Sequence, residues 1–177
     1  WLPYNKGVEF RRWYGNNDYV VNWENDGEEI KENTRRVYPQ LGENLGWKIS
    51  NEKYYFQEGI TWTVIASKKT SFIRYYQGHI ISNSGQSVIS KDKKLLAYLT
   101  GLLNTNIVSE ILSIISPTMG FESGYINKIP VIYSKQREDT IGNIANTNIS
   151  LSRSDWDSFE ASWDFAEHPL VKWSHDL

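Results

Sequence analysis

The 177-residue chain is 40% apolar and 23% charged, the balance of a folded domain with a core of its own rather than of a disordered segment. It has no cysteine, which excludes disulfides and thiolate metal sites and points to a reducing, cytoplasmic setting; no apolar run approaches the roughly 18 residues of a membrane span, so no membrane association is expected. The net charge of −2 conceals a division: residues 1–52 carry −2, residues 53–135 carry +5 and residues 136–177 carry −5.

In chain order, Phe10–Tyr14 and Tyr19–Trp23 flank Gly15-Asn16-Asn17-Asp18 and predict a hairpin, since two β-prone runs around such a cluster favour a tight return. Asn25-Asp26-Gly27 predicts a turn, Glu28–Arg36 a short exposed helix, and residues 39–52, with Pro39, Gly42 and Gly46, a connecting loop. The run from Ile60 to Ala66 alternates, placing Ile60, Trp62, Val64 and Ala66 on one face of a core strand. Ser71–Tyr76, His79–Ser82 and Gln86–Ile89 predict further strands, the last two separated by an Asn83-Ser84-Gly85 turn. Ser90 predicts a helix N-cap with Asp92 in the first turn, where the helix dipole favours negative charge. Leu95, Leu99, Leu102 and Leu103 have helical spacing, and a second helical run from Ile107 to Ile115 stops at Pro117. Residues 121–124 read as a loop and Tyr125–Ile132 as a strand closing at Pro130. Beyond Ser134, Ile141, Ile144 and Ala145 predict a helix. Ser154-Asp155-Trp156-Asp157 predicts the start of another, with an acidic outer face, Trp156, Phe159 and Trp163 inward, and His168-Pro169 at its end.

The expected fold class is α+β. A mixed, mostly antiparallel β core carries a packed helical hairpin, with an N-terminal hairpin and a C-terminal helical appendage. The expected units are an N-terminal hairpin and connector (1–52), a core (53–133) and an acidic helical appendage (134–177). Opening on Trp1, with its single Met at position 119, the chain reads as a piece of a longer protein.

The motifs that announce catalysis are absent. There is no phosphate-cradling glycine loop and no nucleophile elbow, and His79, His168 and His175 lack the spacing of a helical metal pair, so no metal is expected. An Asn-Pro-Pro-Tyr type of motif to hold an exocyclic amine is missing, as is a glycine-rich loop for S-adenosylmethionine. The chain alone is expected to supply no catalytic residue and no cofactor.

Several short pieces, weak singly, occur in a recognisable order. They are Tyr55-Phe56-Gln57-Glu58-Gly59-Ile60-Thr61-Trp62, Ser71-Phe72-Ile73-Arg74-Tyr75, Gly78-His79-Ile80-Ile81-Ser82-Asn83-Ser84-Gly85, Leu102-Leu103-Asn104-Thr105 and Lys128-Ile129-Pro130-Val131. This order resembles the TaqI-like specificity domain of type IIG N6-adenine DNA methyltransferases, itself similar to the target-recognition domains of type I specificity subunits. The flanks Lys6-Gly7-Val8-Glu9-Phe10-Arg11-Arg12-Trp13-Tyr14 and Arg153-Ser154-Asp155-Trp156-Asp157, with Ser162-Trp163-Asp164-Phe165, are similar to the PglX family of adenine methyltransferases of BREX phage defence. The resemblance implies a parent enzyme that uses S-adenosylmethionine and methylates adenine. It implies double-stranded DNA, the catalytic domain of the same chain and other phage-defence proteins as partners.

On that resemblance the DNA-contact residues fall in the basic middle. Phosphate contacts set register and base-edge contacts set sequence. Lys68, Lys69, Thr70 and Ser71 form a loop suited to phosphate, the two hydroxyls also to base edges. Arg74 has the fork for guanine, or else pairs with an acidic neighbour inside its strand. Asn83, Ser84 and Gln86 flank a turn, Gln86 with the fork for adenine; plain turn chemistry is the alternative. Lys91, Lys93 and Lys94 hold the backbone or form a solvated helix face. Arg11 and Arg12 touch DNA or pack against the catalytic domain, and Asp155–Phe165 is expected to contact another domain or protein. Two other classes compete: a protein-docking module with little DNA contact, and a carbohydrate-binding domain built on exposed Trp and Asn.

Overall fold

The computed structural model describes residues 1–7, 9–66, 69–116 and 118–175. In order, the strands are β1 (Leu2–Asn5), β2 (Val20–Val21), β3 (Gly59–Thr63), β4 (Phe72–Tyr75), β5 (Ile80–Ile81) and β6 (Gly85–Ile89). The helices are α1 (Glu24–Val37), α2 (Lys93–Leu103), α3 (Asn106–Ile115), α4 (Ser123–Ile126), α5 (Glu138–Trp156) and α6 (Pro169–His175). Single 3-10 turns at Pro39–Leu41, Leu45–Trp47 and Glu52–Tyr54 fill the connection from α1 to β3.

The alternating run forms the centre of the larger sheet. β3 lies between β4 and β6, antiparallel to both, with Trp62 opposite Phe72 and Gln86. Ile60, Trp62 and Phe72 share a face and pack on Leu96 and Leu103 of α2 and Val108 and Leu112 of α3, with Phe121, Ile126 and Ile129 closing the cluster. At about 1.5–3 kcal/mol for each large apolar side chain buried, this is the main core. α2 and α3, the two successive helices expected, meet at a 70° bend; among the described residues no single helix is long and apolar enough to cross a membrane.

The smaller sheet places β1 between β2, antiparallel, and β5, parallel, over Trp23, Leu45, Ile49, Tyr55 and Ile80. Asn25, Asp26 and Gly27 are left-handed (φ 49°, 60° and 72°), so the regular part of α1 starts only after them. A Cβ at Gly27 would sit 2.8 Å from the Trp23 ring. The two sheets meet at Gly85, where a Cβ would come within 2.3 Å of the Asn5 carbonyl, and the Ser82 N–H donates to that same carbonyl at 3.2 Å.

The C-terminal part closes on this frame. α5 lies along α2, with Gly142 facing the Ala97 methyl and Gly101 facing Ile141, where a Cβ would come within 3.2 Å of the Ile141 side chain. Its far end grips the N-terminal segment. Arg11 pairs with Asp155 at 2.6 Å and lies over the Trp156 ring, and the Ser152 hydroxyl reaches the carbonyls of Arg12 and Tyr14. Arg153 holds Asp157 and Asp164 at 3.2 and 2.9 Å. The acidic tail therefore places much of its charge on arginines of its own chain.

The structure departs from the expected elements at several points. Phe10–Tyr14 and Tyr19–Trp23 do not form a hairpin. β2 pairs with β1 instead, and Trp13 bridges Ile73 of β4 in parallel, exchanging backbone bonds with Phe72 and Arg74. The N-cap of α2 is Asp92, whose carboxylate accepts from the backbone N–H groups of Lys94 and Leu95, while Ser90 accepts from Asp92 N–H. Residues 125–132 form no strand; Glu122 leads directly into α4. Ser154–Trp156 ends a helix rather than starting one, and Pro169 starts one, its rigid φ suiting the first turn. Phe159 and Trp163 are 58% and 54% exposed, not inward. Pro117, expected to stop α3, lies outside the described residues.

Candidate nucleic-acid interface

Strand register locates the predicted contact residues. Thr63 pairs with Gly85, so the loop leaving β3 and the Asn83–Gln86 turn lie at the same end of the larger sheet. Gly59 pairs with Ile89, so Lys91 and Lys93 lie beyond the opposite end, about 13 Å along the strand.

Each residue then has a distinct setting. Lys68 lies outside the described residues. Lys69 is exposed, its Nζ 3.7 Å from the Glu110 carboxylate. Thr70 and Ser71 are buried: the Thr70 hydroxyl donates to the Thr63 carbonyl, and Ser71 Oγ accepts from the Arg11 N–H. Arg74 is 6% exposed, and its guanidinium donates to Glu58 at 2.5 Å and to the carbonyls of Gly59 and Tyr75. This is the in-strand acidic pairing, which keeps the fork away from solvent. Asn83 and Ser84 are exposed on the turn, and Asn83 Oδ1 accepts from the Ser50 hydroxyl. Gln86 Nε2 donates to Glu122 at 2.8 Å, and its Oε1 accepts from the Ser123 N–H at 2.7 Å. Lys91 and Lys93 are exposed, Lys93 lying 3.7 Å from Glu58, while Lys94 pairs with Asp139 at 2.9 Å.

Asn83 and Gln86 open on one cleft of about 390 Å³, shared with Asn51, Tyr54, Ser82, Ser87 and Ser123 and floored by Ile81 and Ile89. None of these lining residues is charged. Carboxamides and hydroxyls both donate and accept, which suits the mixed edges of bases better than phosphate or a cation. Charge of both signs stands beside the cleft: Lys53 Nζ lies 5.0 Å from the centre of the Tyr54 ring, and the Glu122 carboxylate accepts from Gln86. Tyr55, the next residue, points into the smaller core, and burial pushes its pKa up to about 12, so no phenolate forms there at neutral pH.

The sequence singles out neither Asn51, since residues 39–52 read as a plain connection, nor Tyr54, which lies between that connection and the pieces that begin at Tyr55. The available signal was an Asn heading a polar and aromatic stretch, a residue type that tolerates the left-handed backbone found there (φ 61°).

Fold and cleft together define an α+β domain with an uncharged polar surface where its two sheets join. No family model matches the sequence. The chain is similar to a segment of the adenine-specific methyltransferase PglX of Lacticaseibacillus casei (strain Zhang), 37% identical over 171 residues, which is 97% of this chain and 14% of that protein. It is also similar to the adenine-specific methyltransferase BrxX of Escherichia coli O9:H4 (strain HS), 32% identical over 174 residues, 97% of this chain and 13% of that protein. The resemblance to adenine methyltransferases read from the residues is thus found along nearly the whole chain, which spans about one seventh of the length of these relatives.

Proposed function

We propose that this chain is the DNA sequence-recognition part of an adenine-specific DNA methyltransferase of BREX-type phage defence. Methyl transfer from S-adenosylmethionine takes place elsewhere in the longer polypeptide. The observation that carries this reading is the similarity of nearly the whole chain to a segment of two adenine-specific methyltransferases, and the amide-and-hydroxyl cleft supplies a surface for it. Residues 53–133 are the recognition core, and residues 134–177 brace it through α5. Lys69, Lys91 and Lys93 contact phosphates, and Asn83, Ser84 and Gln86 face base edges. Thr70, Ser71 and Arg74 support that surface from within. The partners are double-stranded DNA and the methyltransferase domain of the same polypeptide.

Each lysine that neutralises a phosphate releases counterions, so removing one changes the salt dependence and not only the affinity. Lys69→Ala and Lys91→Ala in the full-length protein each lower the slope of log affinity against log salt by about 0.9 on duplex DNA. Slopes equal to wild type would remove both lysines from the interface.

The exposed Phe159 and Trp163 favour a second role, docking of the tail on another protein. Salt-insensitive binding to a defence partner, with none to DNA, would put that reading first.

A further inference from the structure

We infer that Asn51 is a base-reading residue of this cleft, with Tyr54 beside it, so that specificity comes from the turn before β3 as well as from the β5–β6 turn. The inference rests on the proposed DNA-reading role and concerns which side chains carry it.

Hydrogen-bond accounting singles out Asn51. Among the carboxamides lining the cleft, Gln86 has both ends of its fork engaged, by Glu122 and by the Ser123 N–H. Asn83 has its oxygen engaged by Ser50. The Asn51 carboxamide has no hydrogen-bond partner among the described residues, although it lines the same cleft. It sits at the cap position of the Glu52–Tyr54 turn without bonding that turn. Asn and Asp side chains at such positions usually bond the local backbone, so the free fork is not spent on holding the loop.

The backbone at Asn51 is left-handed (φ 61°, ψ 24°), a conformation that glycine adopts equally well. The turn therefore favours Gly, Asn or Asp, and of these only Asn adds a donor and an acceptor held side by side. That pair matches the N6 amino group and N7 of adenine in the major groove. Tyr54 is 40% exposed and carries Lys53 over its ring, which places an aromatic face and a cation next to the fork. Gln86, fixed by Glu122 and Ser123, retains one further donor and one further acceptor site and acts as the pre-oriented second reader.

The test is long-read mapping of N6-methyladenine in cells carrying the full-length enzyme, with Asn51→Gly, Asn51→Asp and Gln86→Ala compared with wild type. Asn51→Gly keeps the left-handed turn and removes only the fork. It should relax one A·T position of the methylated motif, raising methylation of sites mismatched there by about tenfold or more relative to wild type. Asn51→Asp, of equal size but accepting only, should shift that position toward cytosine. If Gln86→Ala alters the motif while both Asn51 variants leave it unchanged, the Asn51 assignment is overturned and the DNA-reading proposal stands. Uniform loss of methylation with an unaltered motif in the Asn51 variants would overturn it too, because losing a reader acts at one position. If all three variants leave motif and occupancy unchanged, the cleft does not read DNA and both fall.

Discussion

Arg74→Ala lowers the unfolding free energy of the chain by about 3–5 kcal/mol, and Glu58→Ala costs a similar amount, because either change strands a buried charge. Only 7% of the Arg74 side chain and 10% of the Glu58 side chain are exposed, with 2.5 Å between them. Among the described residues Lys93 is the other cation paired with Glu58, but it lies 3.7 Å away and is itself exposed, so it compensates little once the guanidinium is gone. The paired replacement Arg74→Met with Glu58→Leu should recover most of the loss, since an apolar pair removes both desolvation costs. Urea denaturation of the four proteins measures this. A loss below about 1 kcal/mol for Arg74→Ala, the size of an exposed ion pair, would show that the guanidinium is available for DNA instead.

Trp62→Ala is expected to cost about 3–5 kcal/mol, the usual range for emptying a large aromatic site in a core. The side chain is 3% exposed and lies against Phe72, and its indole N–H donates to the Phe121 carbonyl at 2.7 Å. That bond, with the backbone bond from Phe121 N–H to the Val64 carbonyl, ties the segment before α4 to the end of β3. Trp62→Phe keeps the aromatic packing but leaves the Phe121 carbonyl unpaired, so it should cost a smaller amount, about 1–3 kcal/mol. A Trp62→Phe protein as stable as wild type in denaturant titrations would mean the hydrogen bond contributes nothing, and equal losses for the two variants would mean the packing that Phe retains contributes nothing. A Trp62→Ala protein as stable as wild type would contradict the core placement itself.

What was legible in the sequence was local. The alternating run from Ile60 to Ala66, the Asn83-Ser84-Gly85 turn and two successive helices are carried by neighbouring residues, and the structure has them, although the strand ends at Thr63, short of Val64 and Ala66. Some departures are local, as where Asp92 rather than Ser90 caps α2, but the larger ones involve remote partners. Pairing β1 with β5, or Trp13 with Ile73, depends on residues more than fifty positions apart, and no spacing encodes it. Of the leucines read as the stripe of α2 only Leu103 is buried, while Leu95, Leu99 and Leu102 are half-buried; Leu96, Ala97, Tyr98 and Thr100 are buried as well, because α5 packs along the helix from another side. The same limit applied to the site. Residue type flagged Arg74 and Gln86 as forks, yet Glu58, Glu122 and Ser123 decide how those forks are used. Asn51 lines the cleft only because the turn before β3 folds back beside β6, a proximity that no local spacing encodes.

The most direct measurement of the central claim is a segment exchange. Residues 1–177 would replace the matching segment of a related full-length adenine methyltransferase whose methylated motif differs from that of the donor enzyme. N6-methyladenine would then be mapped in cells carrying the chimera. The account predicts that the chimera methylates the donor's motif, since the segment carries specificity and the recipient carries chemistry. An active chimera that still methylates the recipient's motif would contradict it and assign sequence reading to another part of the polypeptide.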